Sequence, residues 1–147
     1  MNTIKYFFED VNFSKNRILP KYKFVNFSKK MKKKIESISF IFCSDEYLQK
    51  LNLKYLKHED LTDVITFEYN ESDLILGDIF ISSERVRENS KKYKVSFKEE
   101  LARVMIHGLL HLMGYKDKRK NESLIMRKLE NEFIKENIWA FLKHNMI

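Results

Sequence analysis

Ile4 to Phe8 is a short run of β-branched and aromatic side chains, and Ile38 to Phe42 alternates between apolar and polar positions, so both predict strands. Thr62 to Phe67 and Leu74 to Ile81 read the same way and predict a third and a fourth strand. After the second strand, Ser44 or Asp45 stands as an N-cap ahead of Tyr47, Leu48, Leu51, Leu53 and Tyr55, which predicts a helix. Ser82 or Ser83 opens another helix running through Val86. The stretch between the first strand and Ser37 is the hardest to read. Pro20 interrupts it, and Ser28 ahead of a Lys-rich run predicts the start of a short helix.

Ser96-Phe97-Lys98-Glu99 has the form of a capping box and sets the start of a helix carrying Leu101, Val104, Met105, Leu109 and Leu112. From Phe97 to Met113 that helix spans roughly 25 Å at ~1.5 Å per residue, enough to cross a domain of this size. A final helix carries Leu124, Ile125, Leu129 and Phe133, and the apolar tail from Ile138 to Leu142 is expected to pack back onto the body. Strands interspersed with helices predict an α+β, or layered α/β, fold: about four strands in a mixed sheet packed with about five helices. One Pro and three Gly leave no visible linker, and no repeat stands out, so residues 1–147 are expected to form one domain.

Charge adds a possible partner. The net charge is +7 and the sequence pI about 9.3, a balance that favours polyanions. Lys15, Arg17, Lys21, Lys23, Lys29, Lys30, Lys32, Lys33 and Lys34 precede Glu36, the first acid after Ser14. They form either the solvated face of a Lys-rich protein or an RNA-facing stripe. Cys43 is the single cysteine and lies in an apolar run, which excludes an internal disulfide and fits a reducing compartment. The first residues lack the pattern of a secretory signal, and nowhere do ~18 apolar residues run together, so a cytoplasmic protein with no membrane span is expected.

The chemistry concentrates in His107-Gly108-Leu109-Leu110-His111-Leu112-Met113-Gly114-Tyr115-Lys116-Asp117. Two histidines four apart on a helix share a face and can reach one ion. Gly114 can end the helix in a left-handed conformation and return the chain, letting Asp117 supply a third ligand. A histidine pair alone would equally suit a hydrogen-bonded core; the glycine turn and the downstream carboxylate favour a metal centre at the C-terminal end of the central helix. Three protein ligands leave a tetrahedral zinc one open vertex, the arrangement of catalytic zinc. The spacing is that of a metzincin protease with Asp in place of the third His, but the general-base Glu of that pattern is replaced by Gly108, which cannot take a proton.

The passage from His107 to Tyr115 resembles the signature of the YbeY family of bacterial rRNA maturation factors, zinc-dependent endoribonucleases. Three more segments match in order: Leu51 to Tyr55, Thr62 to Phe67, and Leu76-Gly77-Asp78-Ile79. The resemblance implies zinc ligands at His107 and His111, with Asp117 at the third position, usually His in the family, and Lys116 where the family commonly has Asp. One Zn2+ per chain is expected, but a carboxylate ligand weakens the ion as a Lewis acid and shifts preference toward harder metals, so another divalent ion is possible in its place. Many relatives carry an Arg facing the substrate phosphate where this chain has Leu56; Lys57, His58 or Arg103 are candidates to replace it.

Asp78 and Glu100 are candidate carboxylate partners for a ligand imidazole, Asp78 equally a strand-end cap, and Tyr115 is expected to pack beneath the metal loop. The implied activity is metal-dependent cleavage of single-stranded RNA in rRNA maturation and ribosome quality control, with the small ribosomal subunit or its proteins as partners. The alternatives are a ribosome assembly factor with weak or vestigial catalysis and a metzincin-like metallohydrolase.

Overall fold

The structure, a computed structural model, describes residues 3–56 and 62–140. Strands β1 (Thr3–Phe8), β2 (Lys34–Cys43), β3 (Val64–Glu68) and β4 (Leu74–Ser82) form one mixed sheet in the order β1-β2-β4-β3. β1 and β4 both run parallel to β2, and β3 runs antiparallel to β4. Helices α1 (Lys21–Lys30), α2 (Asp45–Leu51), α3 (Ser83–Tyr93), α4 (Phe97–Leu112) and α5 (Lys120–Ile134) complete the described elements, with a single helical turn at Lys15–Arg17 and short helical extensions at Asn52–Leu56 and Lys135–Trp139. This is the expected α+β arrangement.

Alternation along the strands sorts side chains to two faces. Ile38, Phe40 and Phe42 of β2 and Ile75, Ile79 and Ile81 of β4 join the main core with Leu101, Met105 and Leu109 of α4. Cys43, Leu48 and Ile65 form a smaller cluster on the opposite face, under α2. Ile35 and Ile38 stand three apart yet both belong to the main core. A register shift between Ile35 and Ser37 supplies the extra residue that lets the two share one face.

The first helix falls elsewhere than Ser28. α1 starts directly after Pro20, whose fixed φ suits the entry to a helix, and Ser28 lies buried near its end, donating its hydroxyl hydrogen to Lys33 O at 2.6 Å. Phe24 and Phe27 hold α1 in the core, while its lysines face outward. Ser44 and Ser82 cap α2 and α3, accepting from the backbone N–H groups of Tyr47 and Arg85. Ser96 caps α4 by accepting from Glu99 N at 3.0 Å, but the reciprocal half of the capping box is diverted. The Glu99 carboxylate instead accepts from Trp139 Nε1 at 2.9 Å, which fastens the segment after α5 to the start of α4. Ile138 is buried, as expected of the apolar tail; residues 141 and 142 lie outside the described residues.

α4 can lie close against the sheet because of Gly108. A Cβ at that position would stand 2.7 Å from Ile79 Cγ2, so any side chain there collides with β4. The far end of α4 is held by Asn70 from the β3–β4 connection, which donates to Leu112 O at 2.8 Å while its own oxygen accepts from Leu76 N at 2.9 Å.

On α5 the buried face differs from the expected one. Leu124 and Ile125 are 63% and 50% exposed, whereas Met126, Glu130, Phe133 and Ile134 are buried and Leu129 packs against the core. The inward stripe is therefore rotated, and a carboxylate sits within it.

Candidate metal centre

The last turn of α4 brings three ligand atoms together. Gly114 adopts φ +102°, and the chain closes with Gly114 N donating to His111 O and Tyr115 N to Leu110 O, both at 3.0 Å. This pair of bonds is the Schellman ending, which needs a left-handed residue and so favours glycine. It reverses the chain so that Asp117 returns to the histidines: Asp117 Oδ2 lies 3.2 Å from His107 Nε2 and 3.3 Å from His111 Nε2. The two Nε2 atoms are 3.0 Å apart.

Each imidazole is fixed from behind. His107 Nδ1 lies 2.6 Å from Glu130 Oε2, and His111 Nδ1 lies 3.1 Å from the Tyr115 carbonyl oxygen. Carboxylate and carbonyl oxygens only accept, so each neutral ring carries its hydrogen on Nδ1 and presents a bare lone pair at Nε2. Two such lone pairs and a carboxylate oxygen then face one another without a hydrogen among them, an arrangement that a cation relieves.

The spacing suits that occupant. Ligand atoms around a tetrahedral zinc with bonds of about 2.0–2.1 Å stand about 3.3 Å apart, close to the three separations here. Among the described residues, His107, His111 and Asp117 are the group whose donor atoms converge closely enough to hold a metal ion.

Glu130 anchors the far side. It is 4% exposed, and its other oxygen meets Arg103 at 3.2 Å and Arg127 at 3.7 Å, so the buried charge is paired. Burial disfavours an imidazolium at His107, but the Glu130 carboxylate, reinforced by Asp117 and Asp63, outweighs it and raises the pKa. Sequence reasoning named Asp78 and Glu100 for this partner role, and neither fills it. Asp78 accepts from Tyr69 OH at 3.2 Å, and Glu100 lies two helical turns before His107. The signal that could have revealed Glu130 is a lone acid within the apolar stripe of Met126, Leu129 and Phe133.

Two clefts meet at this centre. One, of about 430 Å3, lies between α4 and α5 and is lined by Asp63, Glu100, Arg103, His107 and Glu130 among others. The second, of about 520 Å3, lies toward β3 and is lined by Asn52, Leu56, Thr66, His107, His111 and Asp117. Leu56 is exposed on its rim. Arg103 faces the first cleft, with its guanidinium donating to Glu130 and to Asn131 Oδ1. Lys57 and His58 lie outside the described residues. Tyr115 is partly buried against the main core.

Residues 9–137, nearly the whole described chain, match the profile of the family described as Endoribonuclease YbeY. The chain belongs to the YbeY family. An Endoribonuclease YbeY from Flavobacterium psychrophilum is 57% identical over 98 residues, covering 67% of this chain and 70% of the relative. One from Amoebophilus asiaticus is 45% identical over 140 residues, covering 91% and 92% of the two chains. The fold also resembles the solution structure of TM1509 from Thermotoga maritima, with a TM-score of 0.67 and 27% identity over 97% of this chain and 93% of that one. Membership of the YbeY family thus accords with the motif order from Leu51 to Asp117. No helix among the described residues is long and apolar enough to cross a membrane.

Proposed function

We propose that this protein is a zinc-dependent endoribonuclease that cleaves single-stranded RNA in rRNA maturation and ribosome quality control, acting in the cytoplasm on the small ribosomal subunit. The observation that carries the reading is the convergence of His107 Nε2, His111 Nε2 and Asp117 Oδ2 with both Nδ1 atoms held by acceptors. Family membership supplies the RNA substrate.

His107, His111 and Asp117 would hold the ion, and zinc so held supplies Lewis acidity toward a phosphoryl oxygen and toward water. Glu130 keeps the His107 hydrogen on Nδ1, orients the ring and increases its basicity, while the Tyr115 carbonyl holds the His111 hydrogen on Nδ1 and orients that ring. Arg103 and Arg127 hold Glu130 in place and bring positive charge to the cleft wall. The lysines of α1 and the turn after it attract the strand over a longer range. Gly108 offers no base, and the 2.7 Å approach of its would-be Cβ to Ile79 leaves no room for one, which disfavours the peptidase alternative. A ribosome assembly factor with weak catalysis is favoured by Leu56, an apolar side chain at the cleft rim, by Asp117 as the third ligand, and by the engagement of Arg103 with Glu130 and Asn131.

The test incubates zinc-loaded protein with single-stranded RNA and, separately, with casein, beside a His111→Ala variant. RNA cleavage that disappears in the variant, with casein left intact, is expected. A well-metallated protein that leaves RNA whole but still binds ribosomes would move the assignment to the assembly factor.

A further inference from the structure

Glu100 is a buried acid beside the metal centre that the proposed chemistry does not use. It is 5% exposed, it faces the 430 Å3 cleft beside the metal centre, and among the described residues no hydrogen bond or ion pair reaches its carboxylate. Three other acids of that wall are engaged: Glu99 with Trp139, Glu130 with His107 and Arg103, Asp117 with the two histidines. Asp63 lies near enough for its charge to act on Glu100, and burial together with that neighbour pushes the Glu100 carboxyl up to about 7. The Glu100 side chain is buried along its length while its carboxyl opens into the cleft, where a ligand bearing hydrogen-bond donors can meet it.

The surroundings narrow the ligand. Glu100 and Asp63 are not within a group of donor atoms close enough to hold a metal ion among the described residues. The cationic groups of the wall, Arg103 and Arg127, are turned to Glu130, so among the described residues the side of the cleft at Glu100 and Asp63 offers acceptors and no free cation for a phosphate. The cleft volume falls in the range of small-molecule sites, about 300–1,000 Å3, and its rim carries the exposed ring of Tyr93, a surface on which a planar ligand can stack. Glu100 and His107 are seven residues apart on one face of α4, roughly 10 Å along the axis, comparable to the reach of one nucleotide from phosphate to base edge.

We propose that Glu100, with Asp63 beside it, is a specificity-determining residue that accepts hydrogen bonds from a guanine base of single-stranded RNA whose backbone lies at the His107–His111–Asp117 centre. Guanine presents two adjacent donors, N1–H and the N2 amino group, and a carboxylate accepts both at once. Adenine and cytosine pair one amino group with an acceptor, and uracil offers a single N–H on that edge. Single-stranded bases are read on their exposed edges and stacked on aromatic rings in this way. The inference rests on the RNA-cleaving reading for its substrate, but its test does not depend on turnover.

Fluorescence anisotropy in EDTA, where no cleavage occurs, measures binding of short oligoadenylates carrying one central guanosine, inosine or adenosine. Guanosine is expected to bind about tenfold more tightly than adenosine, the size of one good base contact, with inosine, which lacks the amino group, in between. Glu100→Gln places an amide donor against the base and is expected to abolish the ranking; Asp63→Asn is expected to reduce it, and serves if the first variant does not fold. Equal binding of the three oligonucleotides by the unmodified protein, or a folded Glu100→Gln protein that keeps the ranking, overturns the assignment. Displacement of the oligonucleotide by free 5′-GMP at equal concentration would transfer the cleft to a free nucleotide and overturn it as well. Cleavage without a guanine ranking refutes the base assignment alone, and a ranking without zinc-dependent cleavage refutes the nuclease reading alone.

Discussion

Replacing Glu100 with Gln should make the protein more stable, and increasingly so as pH rises. Burial, with the charges of Asp63 and Glu130 added and those of Arg103 and Arg127 opposing, moves this carboxyl from 4.5 to about 7. The native state therefore binds the proton more tightly than the unfolded chain does, so stability is highest below about pH 4.5 and is lost as pH rises to the native pKa near 7. At 1.36 kcal/mol for each pKa unit, the full loss is at most about 3 kcal/mol, reduced to the extent that water in the cleft screens the charge. Glutamine keeps the shape of the protonated acid and does not titrate. Urea unfolding in EDTA, with slopes checked for equality, should give near-equal stabilities for the two proteins at about pH 4.5 and a glutamine advantage that grows toward about pH 8 without exceeding about 3 kcal/mol. A difference that stays flat across that interval would show that Glu100 is solvated or paired in the native state, and the argument from its burial would fail.

Two other substitutions probe the packing and the back of the metal centre. Gly108→Ala should cost about 1–3 kcal/mol, because the new methyl meets a β-branched side chain held in the sheet and the overpacking outweighs alanine's better helix propensity; an unchanged melting temperature would mean that α4 can shift off β4. Glu130→Gln should weaken zinc binding about 10- to 100-fold by calorimetry, since the imidazole loses its charged partner, and an unaltered affinity would remove Glu130 from the centre.

The parts of this molecule that could be read from the sequence are those whose geometry is local. α4 announces itself through Ser96 and an apolar period, and the convergence of His107, His111 and Asp117 follows from helical spacing and one glycine turn, all within eleven residues. α1 hides because Phe24 and Phe27 are its two buried rings among lysines, too sparse a stripe to register as amphipathic. The inward face of α5 is hidden because Glu130 occupies a position the apolar pattern reserves for a hydrophobe, while Leu124 and Ile125, which the pattern favours, are exposed. The partners of the imidazoles depend on how α5 docks against α4 and on a backbone carbonyl, neither of which residue type encodes. Asp63 and Glu100 come together across the cleft from different elements, a juxtaposition that exists only once β3 and α4 have packed.

The contact between His107 and Glu130 also makes occupancy of the centre a matter for the whole helical layer. Three of the converging groups belong to one stretch of chain, but the fourth stands on a separate helix, so a cation that prefers the oriented imidazole must also prefer the docked position of α5. Linkage makes the preference mutual: whatever the docked state adds to metal affinity, the bound metal returns as resistance of α5 to detachment. Withdrawing the ion should thus be visible far from it, as faster amide exchange and earlier proteolytic nicking along Lys120–Ile134.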